Sequence, residues 1–231
     1  MVLDSRPELP GETSLLSCYD NGVTTSYDSP IPDAASNVLR SDAGKTLTSR
    51  MLKTVFLDRD GVINQKLPEG EYVSDWDCFT LLPGTAEAIA RLNAAGLRVI
   101  VVTNQRGIAL GKYTAETVDH IHLNLQAALE KKSAHVDAFY FCPHDKKECD
   151  CRKPLPGMFH KAQADFPEIE SESSAIVGDS LSDIQFGANL NLRTIFIEGD
   201  PEHRKAGAEK AIDLAYASVV SLTDAVDLLL K

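Results

Sequence analysis

From residue 51 onward, short apolar runs alternate with longer segments in which apolar residues recur every three or four positions. Unbroken apolar runs of this kind are typical of parallel strands that are buried on both faces. They predict five strands, at residues 55–57, 98–102, 136–141, 175–177 and 193–197.

Helical periodicity and capping residues predict helices between these strands. Gly96 stands where the C-terminal glycine of a helix belongs, and Thr114 and Ser221 are suitable N-cap residues. The predicted helices run from Pro83-Gly84 to Ala95, from Thr114 to about Lys132, from near Pro156, over residues 182–190, and from Ser221 to Leu230. Strands that alternate with helices predict an α/β fold, a three-layer Rossmann-like arrangement in which helices cover both faces of a parallel sheet.

Residues 1–50 differ from the rest of the chain in composition. They are rich in Ser, Pro, Asp and Gly and show no sustained helical or strand period, which predicts a disordered leader followed by one domain at residues 51–231. The acidic residues argue against a transit peptide. Met51 would also make a natural start, so the leader is either an extension with its own role or the result of an upstream start codon.

Charge and hydrophobicity exclude several function classes. With 43% hydrophobic residues, 25% charged residues and a net charge of −11, the chain has the composition of a globular protein without the basic surplus that nucleic-acid binding needs. No apolar run approaches the roughly 20 residues that span a bilayer. No basic region followed by an apolar core marks a secretory signal. We therefore expect a cytoplasmic protein that binds neither nucleic acid nor a membrane.

Polar residues follow four of the predicted strands. They are Asp58 and Asp60, Thr103 and Asn104, Arg152 and Lys153, and Asp179. Each group by itself is also compatible with an ordinary turn, a helix cap or a solvated loop. Together they place acids, a hydroxyl, an amide and two cations at the sheet edge where α/β proteins bind ligands, and this set suits phosphoryl transfer.

Asp58 and Asp60 are two positions apart, so their side chains begin on the same face of the chain and can converge. Two close carboxylates repel each other unless a cation or a shared proton intervenes. A hard divalent ion with oxygen ligands, Mg²⁺, is the simplest solution.

A second motif is a cluster of cysteines and one histidine. Cys142, His144, Cys149 and Cys151 supply three thiolates and an imidazole within ten positions, which is a Cys₃His set for tetrahedral zinc. A four-ligand site has no open position, so the zinc is expected to be structural and to fix the backbone of Arg152 and Lys153. The alternative is a Cys142–Cys149 disulfide with a solvated His144.

These motifs resemble those of the haloacid dehalogenase (HAD) superfamily of phosphatases. The resemblance rests on Asp58-Arg-Asp60-Gly-Val, Thr103, Lys153 and Gly178-Asp179-Ser-Leu-Ser-Asp183, four motifs in the family's order. It implies that Asp58 is the nucleophile that becomes an aspartyl-phosphate. Asp60 is then the general acid for the leaving alcohol and afterwards the general base for water.

The same resemblance implies the remaining site residues and the cofactors. Thr103 and Lys153 would contact the phosphoryl group, and Mg²⁺ would be held by Asp58, the backbone carbonyl of Asp60, and Asp179. Asp183 is either a support for the site or a helix N-terminal acid.

Within the superfamily, the chain is similar to a compact branch that lacks a large cap domain and carries a zinc loop. Motifs such as residues 103–108, 111–114 and 152–158 imply a sugar phosphate, heptose 1,7-bisphosphate of lipopolysaccharide-precursor synthesis, ahead of histidinol phosphate. Substrate would then be bound by Thr103, Asn104, Arg152 and Lys153, with Arg152 suited to a second phosphate. The expected partner is a small phosphorylated metabolite, and the expected state is a monomer. A binding module that retains the phosphate pocket without useful turnover is the alternative from another class.

Overall fold

Six parallel strands form one sheet in the computed structural model, which describes residues 51–68, 70–199 and 207–231. The predicted leader at residues 1–50 lies outside the described residues. The strands are β1 (Thr54–Leu57), β2 (Arg98–Asn104), β3 (Ala138–Cys142), β4 (Ser174–Gly178), β5 (Arg193–Ile197) and β6 (Ala217–Val219). The helices are α1 (Thr85–Ala94), α2 (Ala115–Glu130), α3 (Gly157–Asp165), α4 (Leu181–Asn189), α5 (Ala208–Leu214) and α6 (Leu222–Leu229).

The strand order is β3-β2-β1-β4-β5-β6, so β1 lies inside the sheet between β2 and β4. Leu57 at the end of β1 is paired with Val101 on one side and Val177 on the other. Because all the pairings are parallel, the carboxyl ends of β1, β2 and β4 lie at the same edge of the sheet. This register brings the polar residues that follow these strands together.

Helices cover both faces of the sheet, as the alternation of side chains along β1 requires. Val55 and Leu57 pack into a core with residues of α1, α2 and α6, whereas Phe56 packs with residues of α3 and α4 on the opposite face. A smaller cluster joins Phe196 of β5 to α4 and α5. The predicted three-layer α/β fold is confirmed.

The five predicted strands and five predicted helices are present with small shifts at their ends. The strand predicted at 136–141 begins at Ala138, and β2 continues through Thr103 to Asn104. The sequence pattern did not predict α5 or the three-residue β6, because elements this short show no clear period.

Between β1 and α1 the described residues contain only a short 3₁₀ turn at Trp76–Cys78 and no separate cap domain. None of the described helices combines the length and the apolar character that a bilayer crossing requires.

Candidate active site

The loop that follows β1 carries the first two site residues. Asp58 begins it and donates its backbone N–H to the carbonyl of Val177 over 2.9 Å. The carbonyl of Arg59 then accepts the N–H groups of Ile63 and Asn64, at 2.8 and 3.1 Å, which folds the loop into a tight turn. Gly61 within this turn has φ +99°, a conformation that residues with a Cβ rarely adopt.

Three carboxylates gather at the sheet edge, and two of them contact the ammonium group of Lys153. Oxygen atoms of Asp58, Asp179 and Asp183 all lie within 4.8 Å of one another. Lys153 Nζ lies 2.8 Å from Asp58 Oδ1 and 2.7 Å from Asp183 Oδ1, and it also donates to the carbonyl oxygen of Val102 over 2.6 Å. Burial by itself would lower the pKa of Lys153, but Asp183 and Asp58 outweigh it and raise the pKa, so Lys153 keeps its charge.

The acid cluster holds more negative charge than Lys153 can neutralise. Burial and the neighbouring Asp183 raise the pKa of Asp58 to about 6, although Lys153 acts in the opposite direction. Burial likewise raises the pKa of Asp179 to about 8, with Asp58 and Asp183 adding to the effect. A set of buried oxygen ligands with excess negative charge fits a hard divalent cation, which would relieve the repulsion. The carboxylate of Asp60 does not belong to this cluster.

A lysine that the sequence pattern did not single out also faces the cluster. Lys66, in the loop after β1, places Nζ 3.1 Å from Asp179 Oδ2 and lowers the pKa that burial would otherwise give this carboxyl. The side chain of Lys66 is about one-third exposed (37%), so its ammonium group can move away from Asp179 into solvent.

Asp60 lies in a different environment from Asp58. Its Oδ1 accepts hydrogen bonds from Arg59 Nη2 and Asn64 Nδ2, at 3.0 and 2.9 Å, and its Oδ2 accepts one from Gln105 Nε2 at 3.0 Å. Burial by itself would raise the pKa of Asp60, but the charge of Arg59 and these hydrogen bonds outweigh it and lower the pKa. The carboxylate of Asp60 is therefore ionised at neutral pH.

Thr103 and Asn104, at the end of β2, make different contacts. Thr103 is buried, and its Oγ1 accepts a hydrogen bond from Gln105 Nε2 at 2.9 Å, so the same amide group contacts Thr103 and Asp60. Asn104, predicted to bind substrate, uses both ends of its amide on the backbone of Lys153: Oδ1 accepts from its N–H at 3.0 Å, and Nδ2 donates to its carbonyl at 3.2 Å. In this geometry Asn104 positions Lys153.

Arg152 does not join the acid cluster. It is half-buried, and its Nη1 is a buried donor without a hydrogen-bond partner among the described residues. The pKa of Asp145 is lowered chiefly by hydrogen bonds from Arg106, whose Nη2 donates over 3.1 Å, and the charge of Arg152 adds a smaller contribution. Two guanidinium groups therefore lie near one carboxylate of the loop that carries the cysteines.

The predicted zinc ligands are close together. Ligand atoms of Cys142, His144, Cys149 and Cys151 all lie within 4.8 Å of one another. The Sγ atoms of Cys142 and Cys149 are 3.5 Å apart, far beyond the roughly 2.05 Å of a disulfide bond. Tetrahedral zinc with Zn–S bonds of about 2.3 Å would place its sulfur ligands about 3.8 Å apart. The three thiols are free, so the disulfide alternative is wrong for this structure, and the donor set fits zinc.

The structure adds site residues to which sequence reasoning assigned no function. These are Arg59, Asn64, Lys66, Gln105 and Tyr113. Gln105 directly follows the Thr-Asn pair at the end of β2, and this position in the sequence is the feature that could have identified it as a site residue. No such feature identifies Arg59, because an arginine between two aspartates is ordinarily solvated, whereas here it is fully buried.

Comparison with known proteins assigns a family to this fold and site. The family model for haloacid dehalogenase-like hydrolases matches residues 53–191. The chain is 34% identical over 186 residues to the D-glycero-beta-D-manno-heptose-1,7-bisphosphate 7-phosphatase of Salmonella typhi, covering 77% of this chain and 97% of that protein. It is 42% identical over 137 residues to the D-glycero-alpha-D-manno-heptose-1,7-bisphosphate 7-phosphatase of Mycobacterium tuberculosis, covering 59% of this chain and 72% of that protein.

A solved structure shares the same architecture. The D,D-heptose 1,7-bisphosphate phosphatase of B. bronchiseptica, complexed with magnesium and phosphate, superposes with a TM-score of 0.67 at 32% identity. The match covers 78% of this chain and 98% of that chain.

Proposed function

We infer that this chain, which belongs to the haloacid dehalogenase-like hydrolase family, is a phosphomonoester hydrolase. Its proposed substrate is D-glycero-D-manno-heptose 1,7-bisphosphate, from which it removes the 7-phosphate, as the names of its relatives suggest. The observation that carries the proposal is the buried Asp58 carboxylate, held 2.8 Å from Lys153 at the edge of the sheet. We assign the activity to residues 51–231.

In the first step, an oxygen of Asp58 attacks the phosphorus atom and the bond to the sugar oxygen breaks. The leaving alkoxide takes a proton from Asp60, so the products are an aspartyl-phosphate and an alcohol. Asp60 needs this proton only when substrate is bound. The negative phosphoryl group next to Asp60 would raise its pKa and oppose the effect of Arg59.

In the second step, water attacks the phosphorus atom of the aspartyl-phosphate and Asp60 takes its proton. This step needs the ionised carboxylate that the hydrogen bonds from Arg59, Asn64 and Gln105 favour. Inorganic phosphate leaves and Asp58 is restored. Lys153 and the hydroxyl of Thr103 would hold the phosphoryl oxygens in both steps, and Asn104 and Asp183 would hold Lys153 in place.

Two metal ions belong to the proposal, because the donor sets fit them. Mg²⁺ held by Asp58, Asp179 and the backbone carbonyl of Asp60 would supply positive charge against the phosphoryl oxygens. Zn²⁺ held by Cys142, His144, Cys149 and Cys151 would fix the loop that leads into Arg152 and Lys153.

The second phosphate of the substrate has a candidate partner in Arg152. Its buried, unpartnered Nη1 can donate to an anion, and a guanidinium group binds phosphate in a bidentate manner. Histidinol phosphate carries one phosphate, and its positively charged amine would lie beside Arg152 and Arg106. This charge arrangement favours the bisphosphate.

The test is phosphate release in the presence of Mg²⁺ from both anomers of heptose 1,7-bisphosphate and from histidinol phosphate. We expect a higher kcat/KM with a heptose bisphosphate. Preference for histidinol phosphate would overturn the substrate assignment, and absence of release from every ester would favour the non-catalytic binding module.

The nucleophile is tested by Asp58→Asn, which should lower turnover by several orders of magnitude because the amide cannot form the acyl-phosphate. The matched control is Asp227→Asn, which removes an exposed carboxylate paired with Arg91 at a distance from the site and should leave turnover unchanged. Near-normal single-turnover rates in Asp58→Asn would contradict covalent catalysis.

A monomeric state and a cytoplasmic location complete the proposal. Size-exclusion chromatography checks the monomeric state.

A further inference from the structure

The amide group of Gln105 contacts two site residues at once. Nε2 donates to Asp60 Oδ2 over 3.0 Å and to Thr103 Oγ1 over 2.9 Å, so both of its protons are used. Gln105 is 2% exposed, so water does not compete for these bonds. If the amide were rotated by half a turn, its oxygen would face the Asp60 carboxylate and the two acceptors would repel each other.

Tyr113 completes the hydrogen bonding of this amide. Its hydroxyl donates to Gln105 Oε1 over 2.7 Å. Burial raises the pKa of Tyr113 to about 12, so the hydroxyl retains its proton at neutral pH. With Tyr113 donating to Oε1, only one orientation of the amide satisfies every donor and acceptor.

The backbone is shaped to admit the Tyr113 ring. A Cβ atom at Gly107 would lie 2.5 Å from Tyr113 Cζ and 2.7 Å from its hydroxyl oxygen, so only glycine leaves room for the ring at this position. Gly107 and Tyr113 lie on the same connection between β2 and α2 as Gln105. Gln105 and Tyr113 are therefore both held by this one connection.

The hydrogen bond from Gln105 also orients the hydroxyl group of Thr103. Because Oγ1 accepts a hydrogen bond from Gln105, the hydroxyl proton of Thr103 is free to point toward a different acceptor. The phosphoryl group of the proposed reaction is such an acceptor. The same amide holds Oδ2 of Asp60, an oxygen of the proposed general acid.

We propose that Gln105 and Tyr113 are positioning residues that orient the Asp60 carboxyl group and the Thr103 hydroxyl for phosphoryl transfer. The proposal rests on the proposed function. Neither residue exchanges a proton with substrate, and Tyr113 acts only through Gln105.

The experiment compares two kinds of phosphate ester. A sugar alcohol is a poor leaving group that needs a proton from Asp60, whereas p-nitrophenolate leaves without one. In Tyr113→Phe, which keeps the ring beside Gly107, kcat/KM with the wild type's preferred sugar phosphate should fall by about 10-fold. With p-nitrophenyl phosphate kcat/KM should fall by less than about 3-fold, because the first step then needs the Thr103 hydroxyl but no proton from Asp60. Water attack, in which Asp60 acts on both substrates alike, follows release of the leaving group and does not enter kcat/KM. A merely structural effect would slow both substrates equally.

A double-mutant cycle tests whether Tyr113 acts through Gln105. Gln105→Leu should slow the sugar phosphate by about 100-fold, and adding Tyr113→Phe should slow it no further. The matched control is Tyr140→Phe, which also removes a hydroxyl with a 2.7 Å hydrogen bond, to Asp165, but outside the site. It should leave both rates unchanged.

Equal slowing of the two substrates by Tyr113→Phe, no slowing, or additive effects in the cycle would overturn the proposal. A wrong substrate assignment would give a different result, because the wild-type protein would then hydrolyse another alkyl phosphate faster. The double-mutant cycle would in that case be measured with that ester. A wild-type protein that hydrolyses no ester would overturn both proposals.

Discussion

Replacing Gly61 with alanine tests whether the turn after β1 supports Asp179 as closely as the structure indicates. Gly61 has φ +99°, and a Cβ atom there would lie 2.6 Å from Asp179 Cγ. Carbon atoms pack at about 3.5–4.0 Å, so the carboxyl group or the turn must move by about 1 Å.

Two costs follow, and they can be separated. A residue with a Cβ in the left-handed region costs roughly 1–2 kcal/mol of stability. Displacement of a site group by about 1 Å can lower turnover by about 100-fold. The second cost arises only where the added Cβ meets a functional group.

Gly96 provides the matched control. It has φ +75°, a Cβ there would meet nothing within 4 Å, and it precedes β2 at the opposite edge of the sheet. Both variants should lose a similar amount of stability in urea denaturation. Only Gly61→Ala should lose Mg²⁺-dependent phosphate release, by about 100-fold in kcat/KM. Gly61→Ala with the activity of Gly96→Ala would refute the inference that Gly61 makes room for Asp179.

Three further predictions concern charge and metal. Burial and the charge of Arg59 lower the pKa of His122 from its ordinary 6.5 to about 3, so the unfolded chain binds a proton that the folded protein does not. Stability should therefore fall as the pH drops from 6.5 toward 3, and His122→Phe should flatten this dependence in urea denaturation at several pH values. Lys66→Met should raise Mg²⁺ affinity by roughly 2- to 5-fold in calorimetry, because a partly exposed ion pair worth about 0.5–1 kcal/mol no longer competes for Asp179. Removal of zinc, by chelation or by Cys149→Ser, should lower the melting temperature and turnover together, because the loop before Lys153 loses its support.

Contrary results are equally specific. A His122→Phe protein with unchanged pH dependence would show that another group governs acid unfolding. Unchanged or weaker Mg²⁺ affinity in Lys66→Met would contradict competition at Asp179. Full activity in zinc-free protein, verified by metal analysis, would contradict the role of zinc in positioning Arg152 and Lys153.

Ion pairs and hydrogen bonds within the acid cluster allow several charged groups to be buried together. Lys153 forms ion pairs with one oxygen each of Asp58 and Asp183, while Asp183 Oδ2 accepts the N–H and the hydroxyl of Ser180 at the start of α4. Both interpretations of Asp183 from sequence are therefore compatible with the structure: it caps a helix and it holds Lys153. A Cβ at Gly178 would collide with its side chain, so the end of β4 is shaped around Asp183.

The sequence by itself determined the layers of the fold and the edge on which the site lies. Apolar runs and helical periods identify the strands and helices, and parallel strands necessarily present their carboxyl ends at a common edge. That is why the sequence alone is sufficient to group Asp58, Thr103 and Asp179. The spacing of Cys142, His144, Cys149 and Cys151 likewise predicted a cluster, since four soft ligands so close in sequence can meet without help from the rest of the chain.

Only the tertiary structure decided which side chains pair within that edge. Periodicity shows which face a residue occupies, but a hydrogen bond depends on the packing of segments that are distant in sequence. Asn104 could have faced the cleft, and the structure turns its amide onto the backbone of Lys153. Arg59 could have been solvated, and instead it is completely buried beside Asp60, where its charge outweighs the effect of burial and lowers the pKa of that carboxyl.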